Sequence, residues 1–87
     1  MQEKKSNGQL LSLAEVPAGR YCIVALEPDF ICGRLRRLGV KAGDTVQVIK
    51  PGPGPVIFLK GNMRIGIGWG LACRILVKPV EENRENL

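Results

Sequence analysis

The chain has no histidine, and this absence removes the commonest general base and the commonest metal ligand of proteins. Its three cysteines, Cys22, Cys32 and Cys73, include no Cys-x-x-Cys pair, so their spacing predicts neither a disulfide framework nor a metal cluster. Residues 10–78 contain four acidic side chains, and these form no visible pair for acid–base catalysis. We therefore expect a protein that is not an enzyme and needs no metal or cofactor.

Aromatic residues and long apolar runs are also scarce. Four aromatic side chains in 87 residues leave valine, isoleucine and leucine to fill the core, which suits β-strands. No run approaches the roughly 18 apolar residues that a membrane span requires. Residues 1–9 lack the apolar segment of a secretory signal. The sequence thus predicts a cytoplasmic protein that is not embedded in a membrane.

Positive charge is present in excess. The net charge is +5, and residues 10–78 carry ten basic residues against four acidic ones, a balance of +6. We predict one domain over residues 10–78, between a disordered N-terminal tail, 1–9, and a mobile acidic tail, 79–87. A basic domain of this kind indicates an acidic partner, an anionic membrane surface or nucleic acid, or simply a solvated face.

The apolar pattern predicts short strands joined by tight turns. The proline–glycine segment Pro51–Pro55 is a rigid loop, and Gly61-Asn62 is a two-residue hairpin turn that needs positive φ. A small, partly open antiparallel barrel is favoured, because closure covers the apolar face and removes strand edges. The five predicted strands are residues 20–27, 44–50, 56–60, 63–67 and 73–78.

One short helix is predicted from about residue 30 to residue 38, with Asp29 as its N-cap. Gly33 inside it costs about 1 kcal/mol relative to alanine, which indicates a close neighbouring backbone or a broken helix. Gly39 follows the last apolar residue of helical spacing, where a left-handed residue closes a helix. The apolar residues expected to cover the end of the barrel are Phe30, Ile31, Leu35 and Leu38.

The order of these features resembles the FeoA family of small cytoplasmic proteins linked to bacterial ferrous iron uptake, a domain that also occurs fused to iron-dependent repressors. The most specific part is Arg-Leu-x-x-Leu-Gly-Val-x-x-Gly-Asp-x-Val over residues 34–46, within a similarity that runs from about Leu11 to Val77. Ile67-Gly68-Trp69-Gly70 departs from the leucine-and-arginine segment usual in the family. The remaining residues that carry the resemblance are Leu13, Gly19, Pro55, Gly61, Ala72 and Ile75.

The resemblance implies an SH3-like barrel with the helix inserted after the first strand. It also implies a partner, FeoB, the membrane iron transporter with a cytoplasmic GTP-binding domain. The arginine-rich helix would then dock on an acidic, partly apolar groove, because the planar guanidinium suits carboxylates and is common at interface hot spots. The predicted partner-binding residues are Arg34, Leu35, Arg36, Arg37, Leu38 and Lys41.

Two alternatives stay open. A basic barrel with Tyr21, Phe58 and Trp69 as stacking residues would bind nucleic acid, although the few aromatics are not interleaved with basic residues in one strand pair, which argues against it. A transcription-regulatory module is the other alternative, although no helix-turn-helix accompanies the domain. A weak homo-oligomer also stays open, because small barrels leave strand edges exposed.

Overall fold

The structure, a computed structural model, describes residues 10–80. The predicted tail 1–9 and all but the first two residues of the predicted tail 79–87 lie outside the described residues. Within that range the elements are β1 (Leu11–Ser12), β2 (Gly19–Leu26), α1 (Asp29–Arg37), β3 (Thr45–Lys50), β4 (Val56–Lys60), β5 (Met63–Ile67), α2 (Trp69–Ala72) and β6 (Ile75–Pro79).

The strands form one antiparallel sheet in the order β1-β6-β2-β3-β4-β5. Register shifts interrupt the β2–β6 pairing between Ile23 and Ala25 and the β3–β4 pairing between Val48 and Lys50. Such bulges bend a strand and increase its twist. The predicted mostly β, SH3-like fold is confirmed, with α1 following the first long strand. Within residues 10–80 the sheet is not closed by hydrogen bonds, because β1 and β5 remain its two edges.

The core forms from the inward side of the sheet, because alternate residues of a strand point to opposite faces. Burial alternates strictly at Val46 and Val48 of β3 and at Val56 and Phe58 of β4. Helix α1 contributes Leu35, which is almost fully buried. The other large buried side chains are Leu13, Ile23, Leu26, Val40, Ile75 and Val77.

At the ends of α1 the predicted N-cap is wrong and the predicted left-handed glycine is confirmed. Pro28, not Asp29, occupies the N-cap, and its carbonyl accepts the N–H of Cys32 at 3.0 Å; Asp29 is the first helical residue. At the other end Leu38 is the C-cap and Gly39 has φ of +93°. This left-handed glycine is where the sequence predicts it.

Two hydrogen bonds close α1 behind Gly39. The N–H of Gly39 donates to the carbonyl of Arg36, and the N–H of Val40 donates to the carbonyl of Leu35, both at 3.0 Å. These are the two bonds of a Schellman motif, which satisfies carbonyls that the end of a helix leaves without partners. Val40 and Leu35 are both buried, so the motif also anchors the helix end in the core.

Helix α1 runs unbroken through Gly33, so the predicted break does not occur. A Cβ at this position would approach Nη1 of Arg37 at 3.7 Å, an ordinary contact with the tip of a flexible side chain. The predicted close approach of a neighbouring backbone is therefore also wrong. Gly33 is a helical residue that no crowding requires to be glycine.

The segment before β6 differs from the prediction, because the last strand begins at Ile75 and not at residue 73. Residues 69–72 instead form α2, in which the N–H of Ala72 donates to the carbonyl of Gly68 at 3.0 Å. The helical turn thus forms in spite of the departure from the family pattern. Its Trp69 lies against Gly52, where a Cβ would come within 2.9 Å of ring atom Cε3. This contact joins α2 to the proline–glycine loop.

Candidate partner-binding site

Helix α1 buries one side and leaves apolar side chains on the other. Cys32 and Leu35, three residues apart, face the core, whereas Phe30 is 86% exposed and Leu38 is 44% exposed. The expectation that Phe30 and Leu38 cover the end of the barrel is therefore wrong. At 3.6 residues per turn Phe30 lies about 200° around the helix from Cys32. Leu38 is the C-cap, beyond the last residue of α1.

The three arginines of α1 point in different directions, although all three are exposed. Arg34 borders a cleft beside Leu35 and Leu38. Arg36 donates from Nη2 to the carbonyl of Leu26 at 3.2 Å, on the side of the helix that meets the end of β2. Arg37 lies back over Gly33. Of the six predicted binding residues, Arg34, Leu35 and Leu38 share this cleft, whereas Arg36 makes its contact at the end of β2.

The cleft beside Arg34 has a volume of about 120 Å³ and separates α1 from β5 and α2. Sequence reasoning missed it, because its two walls are some 30 residues apart in the chain. The alternating glycines 66, 68 and 70 were the available signal, since they leave backbone uncovered. The lining residues are Arg34, Leu35, Leu38, Ile65, Gly66, Ile67, Gly68 and Leu71.

Lys41 belongs to a turn held by Asp44, and it is not among the residues that line the cleft. Its backbone N–H donates to Oδ2 of Asp44 at 2.8 Å, and its Nζ lies 3.5 Å from Oδ1. Lys60 also reaches this carboxylate at 3.5 Å and donates to the carbonyl of Gly39 at 2.8 Å. Burial acts to raise the pKa of Asp44, but the Lys41 N–H and the charges of Lys41 and Lys60 lower it overall. The cluster fixes the exit from α1.

The predicted stacking surface for nucleic acid does not form. Phe58 and Tyr21 are buried in the core, so two of the three candidate aromatic rings are inaccessible. Tyr21 donates its hydroxyl to the carbonyl of Pro17 at 2.9 Å, and burial raises the pKa of Tyr21. Trp69 is 43% exposed, but its ring also lies against Gly52. No platform of adjacent aromatic rings results from these three positions.

Metal-binding groups and membrane-spanning helices are both absent from the part of the chain that the structure describes. Residues 10–80 contain no group of three or more histidine, cysteine, aspartate or glutamate side chains arranged to hold a metal ion. No helix in the same range is long and apolar enough to cross a membrane. The described residues also present exposed apolar and cationic side chains on α1, with the cleft beside them.

The chain matches the family model described as FeoA domain over residues 11–79. A protein of Methanocaldococcus jannaschii with the provisional name Fe(2+) transport protein A is 36% identical over 67 residues, which cover 74% of this chain and 82% of that protein. A crystal structure of an iron uptake regulatory protein (FeoA) is 32% identical, has a TM-score of 0.71, and covers 80% of this chain and 97% of its own.

Two longer chains share the fold at low identity. The manganese regulator SloR has a TM-score of 0.71 at 15% identity, covering 79% of this chain and 34% of its own. ScaR with bound Zn²⁺ has a TM-score of 0.72 at 19% identity, covering 80% of this chain and 37% of its own. These two similarities concern the fold alone.

Proposed function

The chain belongs to the FeoA domain family, and on that premise we propose that it is a non-enzymatic accessory protein of ferrous iron uptake that binds the cytoplasmic part of a FeoB-type transporter. Two relatives support a role in iron uptake, because the name of one concerns Fe(2+) transport and that of the other concerns iron uptake. The protein then acts in the cytoplasm, where this part of the transporter is found.

The surface of α1 is the observation that carries the proposal. Phe30 and Leu38 expose apolar area that a helix packed against its own sheet does not need to expose. Arg34 and Arg37 are exposed on the same short helix. Aromatic side chains and arginine are enriched at protein interfaces, and arginine pairs with carboxylates through two parallel hydrogen bonds. The partner surface is therefore acidic and partly apolar.

Charge reversal on α1 tests the proposal. The double variant Arg34→Glu/Arg37→Glu is expected to weaken binding to the transporter's purified cytoplasmic part by at least about 30-fold, because a hot-spot arginine contributes about 2 kcal/mol. Arg36 is left unchanged, because its bond to the carbonyl of Leu26 ties it to the fold. Binding is measured by isothermal titration calorimetry at physiological ionic strength.

The matched control carries the same change in charge elsewhere. Arg20 and Lys78 are exposed on β2 and β6, so Arg20→Glu/Lys78→Glu also lowers the net charge by four. This control should bind within about threefold of the wild type, since exposed charges outside an interface change affinity little. Equal weakening by both double variants would show that the loss of binding comes from the change in overall charge and not from the α1 surface. Unchanged binding of the α1 variant would contradict the proposal, as would undiminished ferrous iron uptake in a strain that lacks the protein.

A further inference from the structure

Strand β5 has one bonded side and one edge. Within residues 10–80 it pairs with β4 alone and stands last in the sheet. The two strands are joined by the two-residue turn Gly61-Asn62, closed by Lys60 opposite Met63, and Gly61 has φ of +60°. In such hairpins the closing pair exchanges two hydrogen bonds, and every second pair along the ladder does the same. The register therefore fixes which backbone groups face outward.

Counting from the closing pair, the N–H and C=O groups of Ile65 and Ile67 are directed to Phe58 and Val56 of β4. Those of Arg64 and Gly66 are directed away from the sheet. The edge thus presents two donors and two acceptors over about 7 Å of strand. Backbone groups in this arrangement are complementary to another extended chain, which bonds to both residues.

The cleft described above lies beside this edge, because Gly66 and Ile67 form one of its walls. Leu38 and Leu71 give it apolar lining. Its volume of about 120 Å³ is somewhat smaller than the roughly 150 Å³ of a protein cavity that holds benzene, so it has space for one branched aliphatic side chain. An extended chain along β5 would direct alternate side chains toward the cleft and away from it.

We propose that the β5 edge is a strand-addition site for an extended segment of the partner, which pairs with Arg64 and Gly66 and inserts one aliphatic side chain into the cleft. The segment carries at least one carboxylate, because Arg34 is the charged residue of the cleft lining and Arg64 is exposed on the edge. The proposal rests on the proposed function, since the segment belongs to the transporter's cytoplasmic part.

Charge favours this occupant over a second copy of the chain. Pairing two β5 edges would bring together two molecules that each carry a net charge of +5. Like charges brought close in this way oppose association. Carboxylates on the segment gain instead, from Arg34 on the side of the cleft and from Arg64 on the opposite face of the strand. The same two arginines make the site selective for an acidic strand over a neutral one.

Gly66 offers a pair of variants that separate a backbone contact from a side-chain contact. Proline removes the outward N–H and is tolerated on edge strands where that N–H faces solvent. Alanine keeps the N–H, and its Cβ would meet Cγ1 of Ile57 at 3.8 Å, an ordinary contact. We expect Gly66→Pro to weaken binding of the cytoplasmic part about tenfold, and Gly66→Ala to remain within about twofold of the wild type.

Amide hydrogen exchange by NMR provides a readout that needs no variant. With saturating cytoplasmic part, exchange of the Arg64 and Gly66 amides should slow at least about tenfold. The amides of Ile65 and Ile67, bonded to β4 in both states, are the internal control. If a thermal melt shows that Gly66→Pro is not folded, the exchange measurement on the wild type alone decides whether a strand adds to the β5 edge.

The outcomes separate the two proposals. Binding of the wild type without slowed exchange at Arg64 and Gly66 overturns the strand-addition site and leaves the proposed function standing. No binding of the wild type overturns the proposed function and this inference together. Slowed exchange that appears with rising protein concentration and no transporter present assigns the edge to self-association, and this also overturns the inference.

Discussion

Alanine at Gly33 is expected to stabilise the protein, although the same change at Gly39 is expected to destabilise it. Gly33 has helical backbone inside α1, and the Cβ of alanine would meet Nη1 of Arg37 at an ordinary distance of 3.7 Å. Alanine exceeds glycine in helix propensity by about 1 kcal/mol. We therefore expect Gly33→Ala to raise the free energy of unfolding by about 0.5–1 kcal/mol.

Gly39 differs in backbone conformation and not in available space. A Cβ there would meet Nζ of Lys60 at 3.7 Å, the same ordinary distance. Its φ of +93° is left-handed, and a residue with a Cβ loses about 1–2 kcal/mol in that region. Gly39→Ala should thus lower the free energy of unfolding by about that amount.

Thermal melts followed by far-ultraviolet circular dichroism would measure both changes. A difference of 1 kcal/mol shifts the midpoint by about 4–8 °C in a domain of this size, so the two variants should move in opposite directions by resolvable amounts. Destabilisation by Gly33→Ala would show that Gly33 is crowded or that α1 is not continuous there. A neutral Gly39→Ala would contradict the left-handed helix end.

Two further outcomes follow from single contacts. Gly52→Ala should destabilise the protein by about 1–3 kcal/mol in urea titrations, because its Cβ would overlap the Trp69 ring. Trp69→Leu in the same chain should relieve part of this loss. An unchanged urea midpoint for Gly52→Ala would refute the contact. Because Lys41 and Lys60 lower the pKa of Asp44, ionised Asp44 adds stability that is present above the usual value of about 3.9 and is lost as pH falls through the folded-state value. The stability difference between the wild type and Asp44→Asn should therefore shrink from pH 7 to about pH 3, and a difference constant with pH would count against this ion cluster.

The parts of the fold that the sequence predicts are those set by local chemistry. Gly39 at the end of α1 and Gly61 in the hairpin follow from the requirement for positive φ, and both glycines have it. Period-two burial in β3 follows from the alternation of Val46 and Val48. Each of these features depends on a few neighbouring residues, so no knowledge of the tertiary structure is required.

The missed parts depend on distant partners. Strand β1 has two residues, and it exists because Leu11 pairs with Val77, a residue near the other end of the described chain. Helix α2 has four residues, one of them glycine, so its propensity is weak; Trp69 against Gly52 connects it to a loop that precedes β4. The cleft also depends on residues that are distant in the chain, since its walls come from α1 and from β5 with α2.

The six predicted binding residues differ in what the fold places beside them. Leu35 is core and Arg36 bonds to the carbonyl of Leu26, so loss of either acts on the fold as well as on binding. Lys41 is exposed, and its surface ion pair with Asp44 contributes little to stability. Arg34 and Arg37 are exposed on α1, and Leu38 is exposed at its C-cap. Spacing alone could not separate these residues, because arginines 34, 36 and 37 are equivalent in charge and differ only in what the fold places beside them. A binding defect at Arg36 is therefore ambiguous, whereas one at Arg34 reports on the cleft that this side chain borders.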